Sequence, residues 1–161
     1  MRDCSSVVTM TEEGLRAMTS TLSEFNAKFQ VKELEIAQSE HWIWSARPVH
    51  STLGAGILSL KRFCESMSEA TPEEIADLAA ITRIIEDRLG SVFGPDKMNY
   101  LMLMMVDAHL HFHVFPRYSS SIQFGGRDWS DDGWPALPNI SANADLDDPD
   151  LLTEVRDALR S

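Results

Sequence analysis

The sequence has little with which to cross-link itself and little with which to hold a long polyanion. Two of its 161 residues are cysteine, Cys4 and Cys64, which excludes a disulfide framework and a Cys-x-x-Cys zinc knuckle. So few cysteines fit a reducing, cytoplasmic setting. Lys and Arg number 14 against 25 Asp and Glu, for a net charge of −11. Long nucleic acid is repelled by such a chain, because phosphate contacts need basic residues. A small phosphorylated ligand needs only a local positive pocket. No apolar run approaches the ~20 residues that cross a bilayer, so no membrane partner is expected. Residues 1–10 lack the apolar block of a signal peptide. Internal repeats and low-complexity tracts are also missing.

What is present suits one globular domain with its own core: 43% hydrophobic and 24% charged residues. Residues 1–28 read as an N-terminal extension, either helical or partly disordered, with a weak helical stripe over 11–28 (Leu15, Met18, Leu22, Phe25). Residues 29–118 read as the main domain and 119–161 as a tail packing on it. Within the domain, 29–36 and 41–45 are rich in aromatic and β-branched residues and predict two strands around a polar turn. Residues 52–60 predict a third, in which Gly54 and Gly56 mark close backbone approach. Residues 72–89 predict the best helix. Thr71 and Glu74 form a capping box, Pro72 occupies the first helical position, and Gly90 is placed to stop it. The nearly all-apolar stretch 98–106 predicts a central strand buried on both faces, with Met98, Met102, Met104 and Met105 as core filling. Asp107-Ala108 has the length of a hairpin connector into a last strand, 109–115. Glycine and proline break up 118–150, and 150–160 predicts a short closing helix. The acidic run Asp145, Asp147, Asp148 and Asp150 reads as a solvated loop.

The informative segment is His109-Leu110-His111-Phe112-His113-Val114-Phe115. Three of the five histidines sit at i, i+2 and i+4. In a strand these project to one face while Leu110, Phe112 and Val114 point into the core. Strand rise places i and i+4 about 13 Å apart at the backbone, too far for one metal to take all three at bond lengths of about 2 Å. Two neighbouring histidines with another ligand, such as His41, His50 or an acid, remain an alternative. A phosphate chain uses all three positions. One neutral imidazole can attack phosphorus while its neighbours donate to the oxygens. Arg47 and Arg117 could each steady a phosphate; the alternatives are a surface arginine and a salt bridge to the acidic tail. Asn99 could bind ribose or cap a strand. Trp129 and Trp134 could stack on a base or pack the tail on the sheet. His41 and His50 read as structural.

The histidine segment resembles the signature of the histidine triad (HIT) family, His-φ-His-φ-His-φ-φ with φ apolar, and Pro116-Arg117 resembles its continuation. The resemblance extends over residues 30–118. Asn99-Tyr100-Leu101 resembles the preceding strand of one branch, and the glycine-led stretch from Leu53-Gly54 to Leu60 resembles an earlier one. Residues 124–135 are similar to the tryptophan-bearing tail of diadenosine-polyphosphate-hydrolase-like members. The resemblance implies an α+β fold, an antiparallel sheet of about five strands with a long helix packed on it, in a homodimer. It implies nucleotide hydrolysis at an α-phosphate, on dinucleoside polyphosphates or nucleoside phosphoramidates. His111 would attack and form a nucleotidyl-histidine intermediate. His109 would orient His111 through its backbone carbonyl, and His113 would contact the phosphate. No metal is implied for the chemistry, though magnesium can accompany a polyphosphate. Nucleotidyl transfer, or a nucleotide- or zinc-binding module without turnover, are the alternatives. Two departures bear on substrate identity. The loop before the histidines is short and apolar, Asp107 being its one polar replacement, and Gly54-Ala55 stands where many members have Gly-His.

Overall fold

The computed structural model describes residues 11–141 and 149–161, so Cys4 and Asp145, Asp147 and Asp148 of the acidic run lie outside the described residues. The elements run α1 (Glu12–Lys28), β1 (Glu35–Gln38), β2 (Trp42–Ala46), β3 (Gly56–Leu60), α2 (Pro72–Val92), β4 (Lys97–Leu101), β5 (His111–Arg117), β6 (Ile122–Phe124), β7 (Arg127–Trp129) and α3 (Pro149–Arg160). Five strands form an antiparallel sheet in the order β1-β2-β3-β5-β4, and β6 and β7 form a separate hairpin. The fold is α+β, with a long helix packed on one face of the sheet.

Side-chain alternation gives the sheet two different faces. Trp42, Trp44, Leu58, Leu60 and Val114 point to one side and meet Ile81, Ile85 and Leu89 of α2. The indole N–H of Trp42 donates to the Glu74 carbonyl at 2.8 Å, fixing helix to sheet at its start. The expected capping box is present: Thr71 Oγ1 accepts from the Glu74 N–H and Glu74 Oε2 accepts from the Thr71 N–H. Ile43 and Ile57 point to the other side and meet Phe25, Phe29 and Val31, which belong to α1 and the turn after it. The tail shares the main core through Trp129, Leu151, Leu152, Val155 and Leu159.

Several expected boundaries move. Residues 29–34 are turns rather than strand, and β1 begins at Glu35. Helix α2 runs through Gly90 to Val92, and the left-handed residue is Gly94 at φ +60°. Burial of Phe93 against the core holds the last turn, which offsets the roughly 1 kcal/mol that glycine costs inside a helix. Residues 52–55 form a turn, so β3 starts at Gly56. Gly54 has φ +80° and a Cβ there would lie 2.7 Å from Leu89 Cδ2, so no larger residue fits. His50 holds this turn: Nδ1–H donates to the Arg47 carbonyl and Nε2 accepts from the Gly54 N–H.

The largest correction concerns residues 98–106. The strand is short, Lys97–Leu101, and lies at the edge of the sheet, not at its centre. Residues 102–110 leave the sheet as a loop, so Asp107-Ala108 is not a tight hairpin. Met105 and Val106 are 90% and 84% exposed, and neither is core filling. An apolar run carries no period of its own, so burial cannot be read from it.

Candidate active site

Strand β5 lies between β3 and β4, so its side chains are held on both flanks. His113 pairs across β3 with Ile57, and His111 with Ser59. His109 precedes β5, but Leu60 N–H still donates to the Leu110 carbonyl, so the histidine row continues past the strand's formal start. All three imidazoles lie on the face opposite α2, as alternation requires. His109, His111 and His113 are buried.

Two backbone carbonyls fix the protonation pattern of the row. A carbonyl can only accept, so His109 Nε2–H donates to Leu60 O at 2.7 Å and His111 Nδ1–H donates to His109 O at 2.7 Å. Burial pushes the basicity of all three rings down, to about 4 for His109 and for His113. For His113 the neighbouring His111 and Arg47 push the same way; for His111 and His109 the carbonyl contacts oppose it. All three are therefore neutral at pH 7, with one N–H each. His111 has spent its proton on Nδ1, so its Nε2 carries a lone pair. The 3.2 Å contact between His111 Nε2 and His113 Nε2 is then a hydrogen bond donated by His113. His113 Nδ1 and His109 Nδ1 are left as buried acceptors without partners.

Aromatic rings wall the row. Phe25 stands edge-on to His109 at 4.8 Å and meets His111 at 5.0 Å; Phe29 meets His111 at 5.8 Å and His113 at 5.9 Å. Phe63 stacks on His109 and Phe115 on His113. The expected stripe of α1 includes Phe25, but Phe29 reads as the start of a strand. The signal for this wall is the i, i+4 aromatic pair Phe25/Phe29, with Lys28 beside it.

The other expected site residues divide. Asp107 stays near the row: both its oxygens accept from Lys28 Nζ at 2.7 Å, and its charge raises the basicity of His111. Arg47 lies over Phe115 at 5.5 Å, donates to the Val49 and Ile140 carbonyls, and has an unpartnered buried Nε. Arg117 and Asn99 are taken up elsewhere, Arg117 in the alternative expected for it, a salt bridge to the tail. Arg117 Nε donates to Asp131 at 2.6 Å, Nη1 to Asn99 Oδ1 at 2.8 Å and Nη2 to the Ala136 carbonyl, with Trp134 over it. The side chains of Arg117 and Asp131 are 5% and 1% exposed, so this is a buried ion pair joining β5 to the tail. Asp131→Ala is expected to cost about 3–5 kcal/mol, because it leaves the guanidinium buried and unpaired. Urea denaturation of the variant against the wild type measures it; a loss under 1 kcal/mol would mean that water reaches Arg117.

Among the described residues no group of three or more His, Cys, Asp or Glu side chains is placed to hold a metal ion. No described helix is long and apolar enough to cross a membrane.

No protein-family model matches the sequence, and no curated protein matches it. Solved structures do match. A histidine triad (HIT) protein from Sinorhizobium meliloti 1021 superposes with a TM-score of 0.63 at 18% identity, covering 81% of this chain and 90% of that one. A hypothetical histidine triad nucleotide-binding protein from Sulfolobus tokodaii strain 7 gives 0.61 at 16% identity, covering 88% and 89%. The diadenosine triphosphate hydrolase of Plasmodium falciparum, solved with cyclomarin A, gives 0.52 at 15% identity, covering 58% and 67%. The chain has the fold of the histidine triad proteins, as the resemblance implies.

Proposed function

We propose that the chain is a nucleotide hydrolase that works through a nucleotidyl-histidine intermediate on His111, within the cytoplasm and as a homodimer. The observation that carries this reading is the Nδ1–H of His111 on the His109 carbonyl, which leaves Nε2 as a neutral nucleophile at pH 7. In the first step the Nε2 lone pair forms a bond to the α-phosphorus. The bond from phosphorus to the leaving group breaks, and the leaving group departs with that electron pair and takes up a proton from solvent. The positive charge on the His111 ring is eased by its Nδ1–H bond to the carbonyl. In the second step water attacks phosphorus and gives up a proton to solvent, the P–N bond breaks, and the electron pair returns to Nε2.

His113 supports the first step. Its Nε2 lies 3.2 Å from the attacking atom, and its N–H can turn to a non-bridging phosphate oxygen as charge develops there. His109 is a positioning residue, acting through its carbonyl. The unpaired buried atoms Arg47 Nε, Ser45 Oγ and His113 Nδ1 support a polar ligand on this side of the sheet. Ser45 and His113 share one cross-strand row through Ile57. The substrate class is a dinucleoside polyphosphate or a nucleoside phosphoramidate, and magnesium would enter as its counter-ion.

The test is a panel of dinucleoside tri- and tetraphosphates, nucleoside phosphoramidates and nucleotide sugars, with magnesium and with chelator, products being read by chromatography. Release of a nucleoside monophosphate, with an acid-labile adduct on His111 trapped from a slow substrate, is the expected result. Tight nucleotide or zinc binding with no turnover of any compound would replace the hydrolase by a binding module.

A further inference from the structure

The attacking atom assigned above has no open path to a substrate. His111 is fully buried, and the rings of Phe25 in α1 and Phe29 just after it lie against it. An α-phosphate cannot reach Nε2 while these rings stay in place. A cavity of about 330 Å³ lies between α1 and the 102–110 loop, lined in part by Glu24, Phe25, Lys28, Val106, Asp107 and His109. Its lining includes His109 but neither His111 nor His113.

The attachment of α1 is of a kind that can open. Its apolar contact with the sheet runs through Phe25 and Phe29, backed by Val31 in the following turn. Lys28, in its last turn, grips Asp107 of the loop with both carboxylate oxygens. The Lys28 side chain is 50% exposed and that of Asp107 18% exposed, so water and salt weaken the grip. Past the helix the chain turns through Gln30 at φ +49°, a left-handed conformation in a residue with a side chain. A turn of this kind, at an element's end, is where a hinge absorbs backbone change.

We propose that α1 is a lid over the histidine row, latched by Lys28 on Asp107 and hinged at the turn after Phe29, and that it must lift to admit substrate. The lid rests on the hydrolase reading for its purpose, but its motion can be tested without turnover. A closed lid excludes water from the phosphorus once substrate is in place, and an empty lid keeps the neutral imidazole from stray electrophiles.

Diethyl pyrocarbonate acylates neutral imidazole, so the buried, neutral His111 is slow only if it is covered. The labelling rates of His111 and the partly exposed His41 are compared by peptide mapping at pH 7, in the wild type, Lys28→Glu and Lys28→Arg. His111 is expected to label about tenfold or more slowly than His41 in the wild type, as for a site reached by local opening. Lys28→Glu sets like charges face to face, and is expected to speed His111 labelling up to about fivefold, the range of a partly exposed ion pair. Lys28→Arg keeps the latch and should stay near the wild-type rate. Added salt should move the wild type toward Lys28→Glu. Equal labelling of His111 and His41 would show that nothing covers the row. A slow His111 that ignores both Lys28→Glu and salt would make α1 a fixed wall and overturn the latch. Failure of every compound in the substrate panel would remove the hydrolase reading and leave these rates meaningful.

Discussion

His111→Asn is expected to lower turnover of the best substrate by about 10⁴-fold or more, the scale seen when a nucleophile is removed and the binding groups remain. Asparagine can still donate an N–H toward the His109 carbonyl, which the histidine uses at 2.7 Å. It has no lone pair of comparable nucleophilicity to offer phosphorus. The adduct should vanish with the turnover, while substrate affinity, read by calorimetry, should change little. His113→Asn separates the roles. It removes a donor but not the attacking atom, so its loss should be near 10²-fold, with the adduct still formed. If His113→Asn abolished the adduct and His111→Asn did not, the nucleophile would be assigned to the wrong ring. Urea denaturation of both variants checks that the fold survives.

Acidification gives the second large effect. His50, His109 and His113 each have a basicity lowered to about 4 by burial, against 6.5 for an exposed histidine. The unfolded chain therefore binds more protons than the folded chain between these values. Their stabilisation is present above pH 6.5 and is lost as pH falls from about 6.5 toward 4. Each ring contributes at most about 1.4 kcal/mol per pH unit in that window, and a domain holds only about 5–15 kcal/mol in all. The urea midpoint should thus drop steeply between pH 6.5 and 5, before most carboxylates titrate. The net charge of −11 acts in the opposite direction, since protonation relieves self-repulsion. His50→Gln, away from the histidine row, should make the drop shallower by about one ring's share. A midpoint unchanged from pH 7.5 to 5 would mean that the folded chain accepts these protons freely.

The parts of the fold legible in the sequence are those with a period or a cap. The alternation of 109–115 gave the face of every histidine. Thr71, Pro72 and Glu74 gave the start of α2 to the residue, because each supplies or omits a particular hydrogen bond. The apolar run 98–106 misled, because its burial depended on which strand would be its neighbour. A sequence does not show that the ladder of β4 ends at Leu101 opposite His113. Helix α1 was legible only as one of two alternatives, a helix or a partly ordered tail, and its target was not legible. Whether Phe25 and Phe29 would cover the histidines depends on the turn at Gln30 that folds α1 back across the sheet. The pairing of Arg117 with Asp131 was legible only as one of two alternatives, since both phosphate and carboxylate suit a guanidinium.

One consequence follows from how the far edge of the sheet is finished. Around β1, the carbonyls of Glu33 and Glu35 accept from Arg156 and Arg160 of α3, and that of Ile36 from Arg88 of α2. Helix α3 thus lies along that margin, and two guanidinium groups from it and one from α2 occupy backbone acceptors there. The opposite margin is β4, the other edge strand of the sheet, where no arginine is seen on a backbone carbonyl among the described residues. A molecule with one stopped edge and one open edge can join only one neighbour through its ladder. In the proposed homodimer, two copies meeting at that edge would exhaust their own valence, and the assembly would close on a two-fold axis instead of growing into a fibre.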